Sequence, residues 1–226
     1  DFPRDNSFVG VMVDDLVTKG VEDPYRMLTA RAEHRLLLRH DNADQRLTPI
    51  ARSIGLCTEE RWERFSRKME RISRDMAMLE GTMVSSADNP TLEGLEVAPV
   101  SDRISLFDLM KRPEVGLEKA MQVSAACGKP VSICSDREIR EQVELNAMYH
   151  GYIKRQQRMV DQSRKLDAMK IPSRFDYERL GGMSHESREK LTNVRPQTVG
   201  QASRVPGVRP SDVALLIGHL KAARFD

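Results

Sequence analysis

No CxxC pair, no HxxxH pair and no glycine-rich nucleotide loop occurs in the sequence. Its three cysteines, Cys57, Cys127 and Cys134, are an odd number at irregular spacing. That excludes a closed disulfide framework, argues against a zinc site and fits a reducing, cytoplasmic setting. The histidines, at 34, 40, 150, 185 and 219, form no ligand pair, so no metal is expected. No nucleophile stands at a suggestive spacing from a base, and no catalytic residue is assigned. Apolar runs fall short of the roughly 20 residues that a membrane span needs. No signal peptide is expected. The chain opens on Asp1, and "DFPRDNSFVGVMVDDLVTKG" reads as mid-protein sequence, so a fragment is the expectation.

Aromatic residues are also scarce, at 5%, whereas charged residues reach 31% of the 226 positions. Leu, Met, Ala and Arg recur at helical spacing, which predicts a mainly α fold. A short β remnant, "FVGVMV", is expected near the N-terminus. The formal net charge is only +2, but from Gly151 onward 15 Lys or Arg face 8 Asp or Glu. A basic C-terminal third suits an anionic partner, and equally a solvated surface.

Asp23 and Pro24 predict the start of a helix running to about Arg39, and Thr48-Pro49 a second start that Gly55 closes. Thr58 opens a long helix to Gly81, with Trp62, Phe65, Met69, Ile72, Met76 and Leu79 at heptad steps. That seam fits packing within the chain; a dimeric coiled coil is the sharper reading. Four prolines interrupt 82–134, which reads as a linker or loose subdomain with short helices near 105–112 and 115–123. A capping-box pattern at Ser135 and Glu138 opens a helix to Ala168, basic in its second half. Helices at about 184–194, 199–204 and 211–223 close the chain in a helix-turn-helix outline. The punctuation gives three segments: 1–56, 57–134 and 135–226.

The stretch "DPYRMLTARAEHRLLLRHDNAD" sets arginines among leucines. On a helix, Arg31, Arg35 and Arg39 would lie within about 80° of one another. Buried, they need carboxylate partners, for which Glu33, Asp41 and Asp44 are candidates. Facing a groove, they suit phosphate, because the guanidinium fork matches phosphate oxygens. Both readings stay open on the residues alone.

The same stretch, extended to "DPYRMLTARAEHRLLLRHDNADQRLT", resembles a signature of the glucose-inhibited division protein A family. "YHGYIKRQQ", "LGGMSHESREKL", "RPQTVGQASRVPGV" and "ALLIGHLK" resemble that family in the same order. The resemblance covers both ends of the chain and is weak over 82–134. It implies a parent flavoenzyme that installs a 5-carboxymethylaminomethyl-type group on the wobble uridine of tRNA. FAD, NADH and methylene-tetrahydrofolate serve that reaction, with a GTPase as partner, and the parent is expected to be a homodimer. The flavin-binding glycines and catalytic cysteines of the family lie upstream, and Cys57, Cys127 and Cys134 do not match them. By the resemblance, Arg26, Arg31, Arg35, Arg39 and Arg46 are tRNA-binding candidates. Lys154, Arg155 and Arg158 of the basic helix join them, while Glu186 and Arg204 are candidates for the partner surface. Ala30, His34, Pro206 and Arg209 depart from the family pattern, the last removing a capping oxygen before Pro210. The alternative is an all-α protein-interaction module without nucleic-acid contact. A DNA-binding helix-turn-helix ranks last, because the final helix offers few polar side chains to read base edges.

Overall fold

A computed structural model describes residues 3–19 and 24–222. Helices dominate, as expected. In chain order they are α1 (Phe8–Lys19), α2 (Ala43–Ser53), α3 (Glu59–Gly81), α4 (Asn89–Gly94) and α5 (Leu106–Leu109). Then follow α6 (Leu117–Ala126), α7 (Arg137–Ala168), α8 (His185–Val194), α9 (Val199–Arg204) and α10 (Pro210–Ala222). Among the described residues the strands are β1 (Met83–Val84) and β2 (Ile104–Ser105), antiparallel with Met83 opposite Ser105. Two compact units result: residues 1–38 with 155–226, and residues 39–154. They follow packing rather than the punctuation at 56/57 and 134/135.

The unit of residues 39–154 has its own core, which includes Ile72, Leu79, Val84, Leu92, Leu106 and Val143. α3 begins where Thr58 accepts a hydrogen bond from the Arg61 amide, the expected cap. Its seam packs inward: Ile72 and Leu79 are buried, with Met69 and Met76 against the same core. The segment 82–134 is not a linker. Its β1–β2 pair, α4, α5 and α6 supply much of this core. Asn89 clamps the intervening loop, donating to the Val100 carbonyl and accepting from the Val100 amide. The prolines punctuate a packed subdomain because the short helices between them each bury one or two leucines.

α2 corrects a second expectation. It starts at Ala43, five residues before Thr48, and Pro49 lies inside it. Pro49 thus forgoes one helical hydrogen bond instead of opening the helix. Gly55 does end it, at φ +77°, with the Leu56 amide reaching back to the Ala51 carbonyl. At the start of α7 it is Asp136, not Ser135, whose side chain receives the Glu138 amide.

The other unit is organised on Ile171, Tyr177, Leu191, Val199 and Leu216. Its N-terminal element is helical, not the strand that "FVGVMV" suggested. A six-residue apolar run does not distinguish the two periods. The buried positions do: Ser7, Val11, Asp15 and Thr18 recur at steps of four, four and three. Ser7 caps the helix by accepting from the Gly10 amide. α1 packs on α8 and α9.

The helix expected from 23 to 39 does not form. Asp23 lies outside the described residues; residues 24–28 run without regular structure, then come a 3-10 turn (Thr29–Arg31) and further turns. A regular helix here would carry leucines and arginines on every side. Instead the turns bury Ala32, His34 and Leu38 and leave Arg26 and Arg35 exposed.

Candidate nucleic-acid interface and partner surface

The arginine segment is pinned by a charge cluster that the sequence did not announce. Arg4 is its centre. The guanidinium grips Glu33 through two bonds of 2.8 and 3.2 Å, and donates to Asp14 at 2.9 Å and Asp15 at 3.0 Å. It also reaches the carbonyls of Val11 and Arg31. Burial works against its charge, but the Glu33, Asp15 and Asp14 carboxylates outweigh burial and raise its pKa further. Asp15 is buried and accepts from the Tyr25 hydroxyl at 2.9 Å. Burial first, and that bond to Asp15 second, push the Tyr25 phenol up. Arg31 stacks over the Tyr25 ring at 4.6 Å and stands 3.6 Å from Asp15.

The five N-terminal arginine candidates therefore divide. In the unit of residues 1–38 and 155–226, Arg26 and Arg35 are exposed and pair with no described residue. Arg31 is half engaged: Tyr25 and Asp15 hold it, yet its side chain stays 37% exposed. In the other unit, Arg39 forms a two-pronged bond to Asp41 at 3.0 Å for each outer pair. Gln142, buried, donates to the same carboxylate and accepts from Gln45. Burial would raise the Asp41 pKa, but the Arg39 and Gln142 bonds prevail and lower it. Arg46 donates to Asn42 and to the Arg39 carbonyl, and burial, then the Arg39 charge, lowers its pKa. Arg39 and Arg46 thus serve the internal network, and Arg26, Arg31 and Arg35 are offered outward.

The basic candidates of α7 are exposed. Lys154 falls in the unit of residues 39–154, Arg155 and Arg158 in the other. None of the three makes an ion pair among the described residues.

The C-terminal helices meet at a buried carboxylate. Asp212 accepts from the Ser184 hydroxyl at 2.7 Å, the Ser187 hydroxyl at 2.6 Å and the Ser184 amide. The Ser187 bond is the main reason its pKa is lowered. The Ser187 hydroxyl also accepts from the Arg209 amide, which fixes the chain just before α10. Ser184 caps α8 by accepting from the Ser187 amide. This arrangement presents Glu186 on the exposed first turn of α8, against Gly207. Arg204 sits differently. It grips Asp14 through two bonds of 2.8 and 3.0 Å and Asp167 at 2.9 Å. Those carboxylates overcome burial and raise its pKa. Arg204 therefore ties α9 to α1 and α7, with little of its side chain at the surface.

Among the described residues, no group of three His, Cys, Asp or Glu is placed to hold a metal ion. No described helix is long and apolar enough to cross a membrane. Burial, and next the Asp88 carboxylate, push the Cys127 thiol up, which works against a reactive thiolate. Arg4, Asp14, Asp15 and Tyr25 were missed in the sequence. Arg4 and Glu33 lie 29 residues apart, and Asp14 and Arg204 lie 190 apart. Reading α1 as a strand also hid the side-by-side placing of Val11, Asp14 and Asp15.

Two family models match consecutive parts of the chain. Residues 59–157 match the tRNA modifying enzyme MnmG/GidA C-terminal helical domain, and residues 159–226 its C-terminal helical bundle. The tRNA uridine 5-carboxymethylaminomethyl modification enzyme MnmG of Syntrophotalea carbinolica is 44% identical over 219 residues. That match covers 94% of this chain and 34% of the relative. The protein of the same name from Roseiflexus castenholzii is 46% identical over 220 residues, covering 96% and 32%. In a crystal structure of Aquifex aeolicus GidA, 33% of the chain superposes on 96% of this one, with TM-score 0.74 and 34% identity. The chain spans about a third of the length of these relatives. It belongs to the MnmG/GidA family of tRNA-modifying enzymes, as a C-terminal helical part of it.

Proposed function

We propose that this chain is the tRNA- and partner-binding part of an FAD-dependent enzyme that modifies the wobble uridine of tRNA at C5. The observation that carries the reading is the division of the arginines. Arg26 and Arg35 extend to solvent without carboxylate partners among the described residues, from a segment whose backbone Arg4 holds at the Arg31 carbonyl. Preorganised guanidinium groups of that kind suit phosphate oxygens. The unit that carries them, with Arg31, Arg155 and Arg158, has a formal net charge of +4, against −2 for residues 39–154. FAD, NADH and the methylene-tetrahydrofolate carbon unit belong to the preceding part of the enzyme. This chain contributes positioning of the tRNA and, through Glu186 on α8, docking of a GTPase. A homodimeric, cytoplasmic parent completes the reading.

The test is tRNA binding across salt. Each lost phosphate contact reduces the log–log salt slope by about 0.7 to 0.9. Arg26→Ala with Arg35→Ala is expected to weaken binding roughly tenfold or more and flatten that slope by nearly two contacts. Unchanged affinity and slope in the double variant would favour the interaction-module alternative.

A further inference from the structure

α1 is amphipathic the wrong way round. Val9, Val13, Leu16 and Val17 are 50%, 48%, 39% and 62% exposed. At a helical step of about 100° per residue they form a single apolar stripe roughly 100° wide. The opposite side, which is buried, carries Asp15 and Thr18 with Val11. Asp14, on the flank, is held by Arg4 and Arg204, and Asp15 by Arg4 and Tyr25. The helix cannot roll to bury its valines without pulling both carboxylates off these partners. A surface helix in a self-sufficient fold does the reverse, turning its apolar stripe inward. The stripe is therefore a docking face.

Three occupants compete. A lipid surface prefers helices rich in Lys and Arg on the polar face, whereas α1 carries two carboxylates, Asp14 and Asp15, against a single lysine, Lys19, at its last position. A free second copy needs roughly 800 Å² per partner for a stable interface. Four side chains already half covered offer far less than that. A tethered occupant needs little area, because the linker supplies a high effective concentration. About two-thirds of the length of the curated relatives lies outside the region this chain matches. Both family matches are to C-terminal parts, so that length precedes the region.

We propose that the Val9–Val13–Leu16–Val17 stripe of α1 docks, within one polypeptide, against the domain that precedes this region in the full-length enzyme. α1 then works as a two-sided plate. One face carries the preceding domain, and the other carries the Arg4 cluster that fixes Arg31. The distance between them is one helix diameter, about 10 Å. The proposal rests on family membership and stands whether or not these arginines bind tRNA.

The experiment places Val13→Cys in the full-length enzyme and in this 226-residue chain. Both are labelled with a maleimide under native conditions over a range of protein concentrations, and the modified position is mapped by mass spectrometry. Position 13 is expected to label readily in the short chain. In the full-length enzyme it should label roughly tenfold more slowly or less, at every concentration, as a locally protected site does. Equal labelling in both overturns the proposal. So does protection of the short chain that grows with concentration, which identifies a second copy as the occupant. Hydrogen exchange on the unsubstituted proteins gives the same comparison without a variant: slower α1 amides in the full-length enzyme support the docking face, and equal rates overturn it.

Discussion

Arg4 is exposed by only 9% along its side chain, yet it answers three carboxylates and two carbonyls. A buried guanidinium of this kind contributes through completeness. Removing it leaves Asp14 and Asp15 short of counter-charge in a site that water barely reaches, a loss of about 3 kcal/mol or more. Arg4→Met is expected to lower denaturant stability by that amount, and Arg4→Lys to recover only part of it, because an ammonium cannot hold Glu33 with two prongs. Urea unfolding of the three proteins measures both. Asp212 makes the complementary case for pH. Its folded pKa lies below the usual carboxylate value of 3.8, chiefly because Ser187 donates to it. The stability it contributes is thus present above about pH 4 and is lost as pH falls through the lower folded value. Asp212→Asn should be destabilised at neutral pH, and its deficit against the native chain should shrink in titrations below pH 4.

Elements that carry both a cap and a periodic face were legible. α3 is the example, with Thr58 followed by a heptad seam, whereas the Thr198 cap of α9 is seen only in the structure. Two of the failures share one physical cause. In α1, and in residues 24–38, the apolar pattern does not mark the face that tertiary contacts select, because ion pairs decide which side is buried. The site was legible to a similar extent. Arg26 and Arg35 kept the exposure that a phosphate role needs, whereas Arg39 and Arg46 are claimed by near neighbours in sequence, Asp41 and Asn42, and Arg204 by Asp14, which only the fold brings near. Gly207 shows how an element fixes a surface group. It turns at φ +91°, where a side chain is strained, and an added Cβ would stand 2.6 Å from a Glu186 carboxylate oxygen. Gly207→Ala should therefore cost about 1 kcal/mol. On the proposed role of Glu186, it should also displace that carboxylate and weaken docking of the GTPase. Glu186→Lys should weaken docking at unchanged melting temperature, and pull-down with the GTPase alongside thermal melts separates the two effects.

At the scale of the whole chain, the two units differ in how they are assembled from sequence. Residues 39–154 are continuous, and their core, from Ile72 to Ala147, lies within those limits. Their long-range polar ties close internally too: Gln142 to Asp41, Lys68 to Asp44 and Glu138, and Asp75 to the Cys134 amide. A polypeptide of residues 39–154 should therefore fold alone, with one cooperative transition, as expected of a segment that owns its core. The other unit is discontinuous. Residues 155–226 alone keep the Ile171–Leu216 core but lose Asp14, which supplies two of the three carboxylate bonds of Arg204. Arg204 would keep Asp167 and otherwise turn to water. That polypeptide should fold with a reduced melting temperature, and a peptide of residues 1–38 added in trans should raise it in a concentration-dependent way. Asp14→Asn in the peptide should abolish most of the gain. Melting of residues 155–226 that is indifferent to the peptide would mean that the Arg4 and Arg204 cluster contributes geometry to the arginine segment without stabilising the helices on which it rests.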